Sequence, residues 1–179
     1  MPGFMINGDQ RDQPNSVAEV RRTHRWVFKT IGTLKNRDVC LVLKSASRPS
    51  ITFEEPPMHH NQEQIYFAGK HTWEPLAMAW YDVEQEPDVS KAMWDWMEVC
   101  MPLTEGKAAN VNTPRAYKSS QADLEMIKGN GDRSEAWEIY NGWPQAINWN
   151  ALDYSASDLQ LIEVKYRYDR AVRAFGPAG

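Results

Sequence analysis

Three neighbouring apolar runs within residues 64–101 set the pattern from which the fold can be predicted. The first run is short and is stopped by a glycine. In the second, residues 73–82, the bulky Leu76, Met78 and Trp80 occupy every second position. Alternation with period two is typical of a strand that buries one face, so both runs predict strands.

The third run, residues 89–100, follows the period of an amphipathic helix. Asp88 is suited to cap its first turn, and Pro102 stands just beyond its end, where a helix cannot continue. The apolar residues recur at spacings of three and four positions, and they are Val89, Ala92, Met93, Trp96, Val99 and Cys100. We therefore expect one helix that lays a face rich in Met and Trp on a sheet.

Alternation elsewhere predicts further strands and the fold class. A continuous apolar run at 38–44 predicts a strand covered on both faces, and Gly129–Asp132 is a strong hairpin signal. The alternating segments are residues 22–32, 121–128, 135–140 and 162–169. Because no strand–helix–strand rhythm appears, we expect an antiparallel β-barrel or sandwich of about seven or eight strands with one helix packed on it.

The remaining segments predict one domain, residues 1–179, with long appendages. Pro56 and Pro57 remove two backbone donors, so regular strand pairing is expected to stop there. The appendages are an N-terminal arm at 1–18, a protruding loop at 48–64, a long connection at 102–120 and a C-terminal tail at 170–179. Three arginines around this tail, Arg167, Arg170 and Arg173, are expected to be solvated.

The order of these elements resembles the tail tube proteins of contractile-tailed bacteriophages. In that family an Ala-Gly strand pair ending in Thr-Trp precedes a helix carrying Trp, and a final strand follows a Gly-Trp-Pro turn. The matching residues here are Ala68, Gly69, Thr72 and Trp73, then Trp94 and Trp96, then Gly142, Trp143 and Pro144. The resemblance covers residues 65–168 and implies a β-barrel with one packed helix.

Composition narrows the function classes. The net charge is −4, without the basic face that phosphate neutralisation requires, which argues against a dedicated nucleic-acid binder. The N-terminus is polar and no apolar run could span a bilayer, so neither a signal peptide nor a membrane anchor is expected. Cys40 and Cys100 are interpreted as buried free thiols, although a bridge within or between subunits remains an alternative.

The eight tryptophans are interpreted mainly as core residues, because each buries a large apolar area. The alternative is that several of them seal subunit interfaces, where Trp is enriched. The four tryptophans expected to pack the core are Trp73, Trp80, Trp96 and Trp143.

One cluster resembles a metal site, and it is interpreted as a polar loop tip. His59 and His60 stand near Glu54, Glu55 and Glu63. Adjacent side chains on an extended chain point to opposite faces, so the two imidazoles would rarely bind one ion. Because no motif for a nucleophile or a phosphate loop is complete, we expect no metal, no cofactor, no catalytic residues and no enzymatic activity.

The resemblance implies a structural virion protein that forms stacked hexameric rings. These rings would make a tube inside a contractile sheath, through which DNA passes without specific binding. Implied partners are further copies of the chain, the sheath, the baseplate or initiator, the tail terminator and the tape-measure protein. The chain would be made in the host cytoplasm and would act without a membrane. The implied alternatives of the same fold are a baseplate initiator and a secretion-system tube protein.

Two sets of residues are expected to serve such an assembly. Asp123 and Glu125 are candidates for the lumen, because an acidic wall lets DNA slide. The protruding loop is expected to bridge rings or subunits through Glu54, Pro56, Pro57, Met58, His59 and His60. A hypothesis of another class is a β-barrel module that binds a small ligand in a pocket of Trp and Tyr.

Overall fold

The computed structural model describes residues 22–31, 34, 38–60, 63–103, 114–118, 121–155 and 157–174. The predicted N-terminal arm at 1–18 lies outside these residues, as does most of the connection at 102–120. The strands are β1 (Trp26–Thr30), β2 (Leu43–Ala46), β3 (Ile51–Phe53), β4 (Pro57–His60), β5 (Glu63–Tyr66), β6 (His71–Trp73), β7 (Leu76–Tyr81), β8 (Gln121–Ile127), β9 (Arg133–Tyr140), β10 (Trp143–Asn148), β11 (Leu161–Arg167) and β12 (Arg170–Ala174). The helices are α1 (Asp38–Leu41), α2 (Val89–Cys100) and α3 (Pro114–Tyr117).

Two four-stranded sheets form the body of the protein. The first sheet has the order β1-β8-β9-β12 and the second has the order β10-β11-β7-β2, and every pair is antiparallel. Four shorter strands form two separate ladders, β3 with β6 and β4 with β5. The mainly β, antiparallel fold is therefore confirmed. It is an open sandwich rather than a closed barrel.

One core joins the two sheets with the helices. Alternation along the strands places bulky residues inward, because successive side chains of a strand point to opposite faces. The first sheet contributes Phe28, Ala122, Leu124, Ile139 and Ala171, and the second contributes Leu76, Met78, Trp80, Ile162, Val164 and Tyr166. The inward positions predicted from alternation in β1, β7, β8, β9 and β11 are confirmed.

Helix α2 has the predicted bounds and cap. The Asp88 carboxylate accepts the backbone N–H of Lys91 at 2.9 Å, which satisfies one of the free donors of the first turn. Val89, Met93 and Trp96 are buried, and the Trp96 ring packs against the core side of the second sheet.

The predicted buried strand at 38–44 is wrong. Residues 38–41 form the single turn α1, and β2 begins only at Leu43. The turn buries Val39 and Cys40 together while Leu41 faces solvent, and successive residues of a strand could not share a face in that way. The Trp80 indole donates to the Val39 carbonyl at 3.1 Å, which fixes the turn on the core.

The predicted C-terminal tail is also wrong at its start, because residues 170–174 form the edge strand β12. Arginine residues concealed its alternation in the sequence. Arg173 shares the inward face with Trp137 of β9, and its guanidinium binds the carboxylate of Glu135. It is therefore an ion-paired side chain rather than a freely solvated one. Arg170 lies on the other face, over the ring of Tyr140.

The four tryptophans expected in the core differ in their positions. Trp80 and Trp96 are fully buried, and Trp73 is half-buried with its ring 5.9 Å from that of Tyr168. Trp143 does not belong to the core. It pairs with Arg167 on the outward face of β10, where its half-buried ring meets the edge of Tyr117.

Candidate functional site: assembly surfaces

A long hairpin leaves one end of the second sheet. Strands β2 and β7 pair within that sheet, and the chain continues from them into the ladders β3–β6 and β4–β5. We call residues 51–73 the hairpin extension. At about 3.3 Å per residue, each of its two sides could reach at most roughly 40 Å from the sheet. The tip, residues 61–62, lies outside the described part of the chain.

An irregular stretch, which we call the kink, separates the two ladders of the extension, and Gly69 lies within it. Gly69 donates its N–H to the Glu54 carbonyl at 2.7 Å, and Glu54 donates to the Lys70 carbonyl at 2.8 Å. A Cβ at residue 69 would lie 3.0 Å from both the Glu54 carbonyl oxygen and the Cδ of Pro56. A side chain at residue 69 would therefore push the two sides of the hairpin apart by a few tenths of an ångström.

The expectation that pairing stops at the two prolines is wrong beyond the kink. Pro56 lies between the two ladders, where its carbonyl accepts from the N–H of Phe67 at 3.4 Å, and Pro57 begins β4 and is paired with Tyr66. Proline is tolerated as the first residue of a strand because no ladder hydrogen bond from its nitrogen is needed there. The run at 64–68, which the alternation marked as a strand, forms the returning side of the extension rather than part of a main sheet.

Apolar side chains cover the extension although it has no core of its own. Each of these residues is between 40% and 61% exposed, and they are Ile51, Phe53, Met58, Ile65, Tyr66 and Phe67. An isolated two-stranded hairpin is only marginally stable in water, and contiguous exposed apolar surface marks an interaction site. The extension therefore has the properties of an assembly element.

The residues predicted as contacts lie on the outgoing side of this extension. Glu54 and Pro56 lie at the kink, and both are exposed. Pro57 and Met58 lie in β4 and are exposed as well. His59 and His60 follow them in the same strand, where the backbone pairs with Gln64 and Glu63.

The candidate lumen residues lie on the outward face of the first sheet. Asp123 and Glu125 alternate with buried neighbours along β8. The Asp123 carboxylate accepts from the Thr30 hydroxyl at 3.2 Å. Glu125 Oε1 lies 2.8 Å from Lys29 Nζ and 3.4 Å from Arg133 Nη1. The two carboxylates are therefore held at one face, but the charge of Glu125 is shared with two cations.

Charges of both signs lie on this outward face among the described residues. Register places four cations on this face, those of Arg25, Lys29, Arg133 and Arg170, together with three carboxylates, those of Asp123, Glu125 and Glu138, so that the two signs balance only approximately. The acidic excess expected for a lumen is thus not found on this face alone. Its carboxylates and cations instead neutralise one another at close range, as the contacts of Glu125 show.

The outward face of the second sheet is lined by small side chains. Ser45, Ala77, Ala79 and Ala146 form a shallow hollow of about 550 Å³, which is flanked by charged Glu163 and Lys165. The ligand-binding hypothesis requires an aromatic pocket instead. The large aromatic rings of Trp80 and Trp96 are packed into the core.

Three other features bear on alternative functions. In the described ranges, no three His, Cys, Asp or Glu residues converge as a metal site would require. None of the described helices is sufficiently long and apolar to cross a membrane. Both cysteines are free thiols, Cys40 buried and Cys100 half-buried.

Comparison with known proteins finds one related phage protein. No protein-family model matches the chain. A tail tube protein of Serratia phage KSP90 is 25% identical over 148 residues, which cover 78% of this chain and 80% of that protein. The chain is similar in sequence to this phage tail tube protein over most of its length. The resemblance found in the sequence is thereby confirmed.

Solved structures share the fold of this chain. The sheath–tube complex of an extracellular contractile injection system contains a chain with a TM-score of 0.64 and 13% identity, covering 89% of this chain and 95% of that one. The tube-terminating cap of the anti-feeding prophage gives 0.68 with 15% identity and covers 90% and 95%. Its baseplate gives 0.66 with 10% identity and covers 89% and 98%. At these identities the solved structures show a shared fold, and it is the phage relative that supports a structural role in a tail tube.

Sequence reasoning missed the full length of the extension, and it missed that the side of the hairpin that runs back to the sheet is exposed. The apolar residues Ile65, Tyr66 and Phe67 were interpreted as part of an ordinary strand. A usable signal was Gly69, whose backbone N–H binds the carbonyl of Glu54 on the outgoing side. Reading Glu54 and Gly69 as partners would have paired Pro57 with Tyr66 and so given the register of the segments beyond them.

Proposed function

We propose that this chain is the subunit of a phage tail tube, in which hexameric rings stack inside a contractile sheath and form the conduit for DNA ejection. The observation that carries the proposal is the hairpin extension. It places six exposed apolar side chains on an element that extends from the sandwich and has no core of its own. Such an element is stabilised when it packs on another subunit.

The fold also offers a means of closing a ring. Both sheets are open, with β1 and β12 at the edges of the first sheet and β10 and β2 at the edges of the second. Unpaired strand edges favour association, and closure of sheets around an axis removes them. Pairing between subunits within a ring would use edges, which leaves the extension free to bridge rings or subunits through Glu54, Pro56, Pro57, Met58, His59 and His60.

The proposed lumen is the outward face that carries Asp123 and Glu125. DNA adheres to proteins chiefly through Lys and Arg contacts with phosphate. On this face Lys29 and Arg133 are engaged by Glu125, so their charges are partly neutralised. A wall of paired charges would let DNA slide without specific binding. The role is therefore structural, without catalysis or a cofactor.

The proposed partners follow from the assembly. They are further copies of the chain, the sheath, a baseplate or initiator protein, a tail terminator and the tape-measure protein that precedes DNA in the lumen. The protein would be made in the host cytoplasm and would reside in the virion tail. The shared fold with chains of a sheath–tube complex and of a tube-terminating cap supports this set.

Electron microscopy of the purified protein over a range of concentrations tests the proposal. Wild-type protein is expected to form rings and striated hollow tubes. Phe53→Asp combined with Met58→Asp, or deletion of Glu54–Gln62, should abolish tubes while leaving the circular dichroism and thermal unfolding of the sandwich unchanged. Leu103→Asp is the control, because Leu103 is 41% exposed, against 51% for Phe53 and 50% for Met58, and lies outside the extension. Tubes of normal length from the deletion variant would contradict the role of the extension.

A baseplate initiator of the same fold is the second candidate, because the anti-feeding prophage baseplate contains a chain of this fold. A tube subunit and an initiator differ in how their assemblies grow. A tube subunit adds to its own tubes without limit, whereas an initiator forms one ring and then templates another protein. Tube length that rises with protein concentration would favour the tube subunit, and single rings at every concentration would favour the initiator.

A further inference from the structure

Two irregular segments, residues 47–50 and 74–75, join the hairpin extension to the second sheet, and neither belongs to a strand. The N–H of Glu74 donates to the Ser50 carbonyl at 3.0 Å, which links the two segments. The ladder β3–β6 is nevertheless separate from the sheet formed by β10, β11, β7 and β2. Short segments outside regular strands are where hinges form, so the direction of the extension depends on contacts other than the backbone ladder.

Trp73, the last residue of β6, is the point at which the extension meets the core of the sandwich. Every other residue of the extension whose side chain the structure describes is exposed, whereas Trp73 is half-buried and packs against the core. The centroid of its ring lies 5.9 Å from that of Tyr168, at an angle of 49° between the planes. Aromatic pairs at such separations are stabilised beyond the apolar area that they bury. Trp73 therefore anchors the extension.

Tyr168 gives this anchor a fixed point on the sandwich. Its side chain is buried, and it lies in the two-residue corner between β11 and β12. The second residue of the corner, Asp169, donates its N–H to the Tyr140 carbonyl at 3.2 Å, and its carboxylate Oδ1 lies 2.9 Å from Lys118 Nζ. Because the corner is bound both to β9 and to the residue after α3, it stays in place when the extension moves.

Open space lies beside the anchor. A hollow of about 260 Å³ separates β6 from the corner, and it is lined by His71, Thr72, Trp73, Arg167, Tyr168 and Asp169. Close packing is what makes the interior of a protein resist displacement, and an unfilled hollow lacks it. The hollow therefore offers little resistance to a tilt of the extension, and the ring contact between Trp73 and Tyr168 is left to oppose such a tilt.

The length of the extension makes its direction important for assembly. At the upper length of about 40 Å, a tilt of about 10° at the base would move the tip by about 7 Å. Neighbouring strands of a sheet are only about 4.8 Å apart, so such a displacement would carry the apolar side chains past a surface built to receive them. Contact with another subunit therefore requires the base of the extension to be held.

We infer that Trp73 and Tyr168 are positioning residues, which hold the hairpin extension in one direction so that its apolar side chains are presented to another subunit in a fixed orientation. The inference rests on the proposed tube function, in which the extension bridges rings or subunits. A contact that is preorganised in this way forms with a smaller ordering cost. The two residues act through the extension, and neither has to touch the other subunit.

Distance measurements between two spin labels test this directly, at a protein concentration too low for assembly. One label is attached at Gln64→Cys on the extension and the other at Glu163→Cys on the second sheet, and both positions are exposed. Cys40→Ala and Cys100→Ala remove the native thiols. We expect this labelled protein to give a narrow distribution of distances, because the anchor holds the extension in one direction.

Removal of either ring should broaden that distribution. Trp73→Ala and Tyr168→Ala are each expected to widen it by about 7 Å or more, the displacement given by a tilt of about 10°. Tyr168→Phe keeps the ring and should keep the distribution narrow. Trp149→Ala is the control, because Trp149 is also half-buried but lies beyond the end of β10 that is remote from the corner. Trp73→Leu, which retains apolar bulk, replaces Trp73→Ala if circular dichroism shows the latter to be unfolded.

Electron microscopy of the same variants connects the anchor with assembly. Trp73→Ala should lose tubes, whereas Tyr168→Phe and Trp149→Ala should form tubes as the wild type does. A narrow distribution in Trp73→Ala would overturn the inference, and so would a broad distribution combined with normal tubes. A wild-type protein that forms neither rings nor tubes would instead contradict the proposed function, while the distance measurements still decide whether Trp73 and Tyr168 set the direction of the extension.

Discussion

Arg173 of the last strand is paired with the buried carboxylate of Glu135. Its Nη2 lies 3.0 Å from Glu135 Oε2, and the glutamate side chain is only 2% exposed. The Trp137 indole donates to the other carboxylate oxygen, Oε1. An ion pair inside the sandwich thus fastens β12, an edge strand, to its neighbour β9.

Removal of Arg173 alone should lower the free energy of unfolding. Arg173→Met leaves the Glu135 carboxylate buried without its cation, and we expect a loss of about 3 kcal/mol in unfolding free energy, the lower end for breaking a buried pair because Arg173 is itself 35% exposed. The double variant Glu135→Met with Arg173→Met should recover most of this loss. Urea unfolding checks both, and a double variant no more stable than the single one would refute the argument.

Two glycines provide a matched pair for a packing prediction. A Cβ at Gly142 would overlap the ring of Tyr166, which is fully buried and has no room to move. Gly131 has a positive φ of 91° but open space around it. Gly131→Ala should cost about 1 kcal/mol through backbone strain alone. Gly142→Ala should cost more than about 3 kcal/mol, beyond ordinary overpacking. Equal losses in denaturant unfolding would show that the Tyr166 contact can relax.

Stability should fall at alkaline pH because of buried phenols. Burial raises the pKa of Tyr168 from 10.0 to about 12, and it raises the pKa of Tyr166 still further. The native state therefore retains protons that the unfolded chain loses first. The stabilisation from these groups is complete below about pH 10 and is lost as the pH rises through about 12. Tyr168→Phe should flatten the decline. Unfolding measured across this range checks the sign, and stability that rises with pH would contradict it.

Asp123 and Glu125 should respond differently to charge reversal. Glu125→Lys would set a third cation beside Lys29 and Arg133, so a loss of about 1–2 kcal/mol is expected along with any effect on DNA. Asp123→Lys breaks only hydrogen bonds from Thr30 and Gln121. It should therefore leave tubes intact and slow DNA ejection.

The control for this comparison is Asp123→Asn, which keeps the size of the side chain and adds no cation. Ejection kinetics from reconstituted phage particles give the measurement. If Asp123→Lys particles eject DNA at the wild-type rate, the outward face of the first sheet is not the lumen wall.

Local periodicity determined the main elements from the sequence. Alternation in β7, β8, β9 and β11 placed the correct side chains inward, and the helical spacing with Asp88 as the cap gave the bounds of α2. These predictions succeed because each depends on the period of side-chain direction, which neighbouring residues in the chain fix. The ordered Trp, Gly and Pro positions added the resemblance to tail tube proteins, which the phage relative confirms.

Tertiary structure decided what depends on partners distant in the chain. The strand β12 was not predicted because Arg173 occupies one of its inward positions, where an apolar residue is expected. The sequence does not show that Glu135 on β9 binds this arginine. Val39 and Cys40 form a turn rather than a strand, and the Val39 carbonyl in that turn accepts from both the Val42 N–H and the distant Trp80 indole. Ile65 and Phe67 have the alternation of a buried strand, yet they lie exposed beyond the sheet. Periodicity reports that a face is apolar, and only the arrangement of the whole chain shows whether its own core or another molecule covers that face.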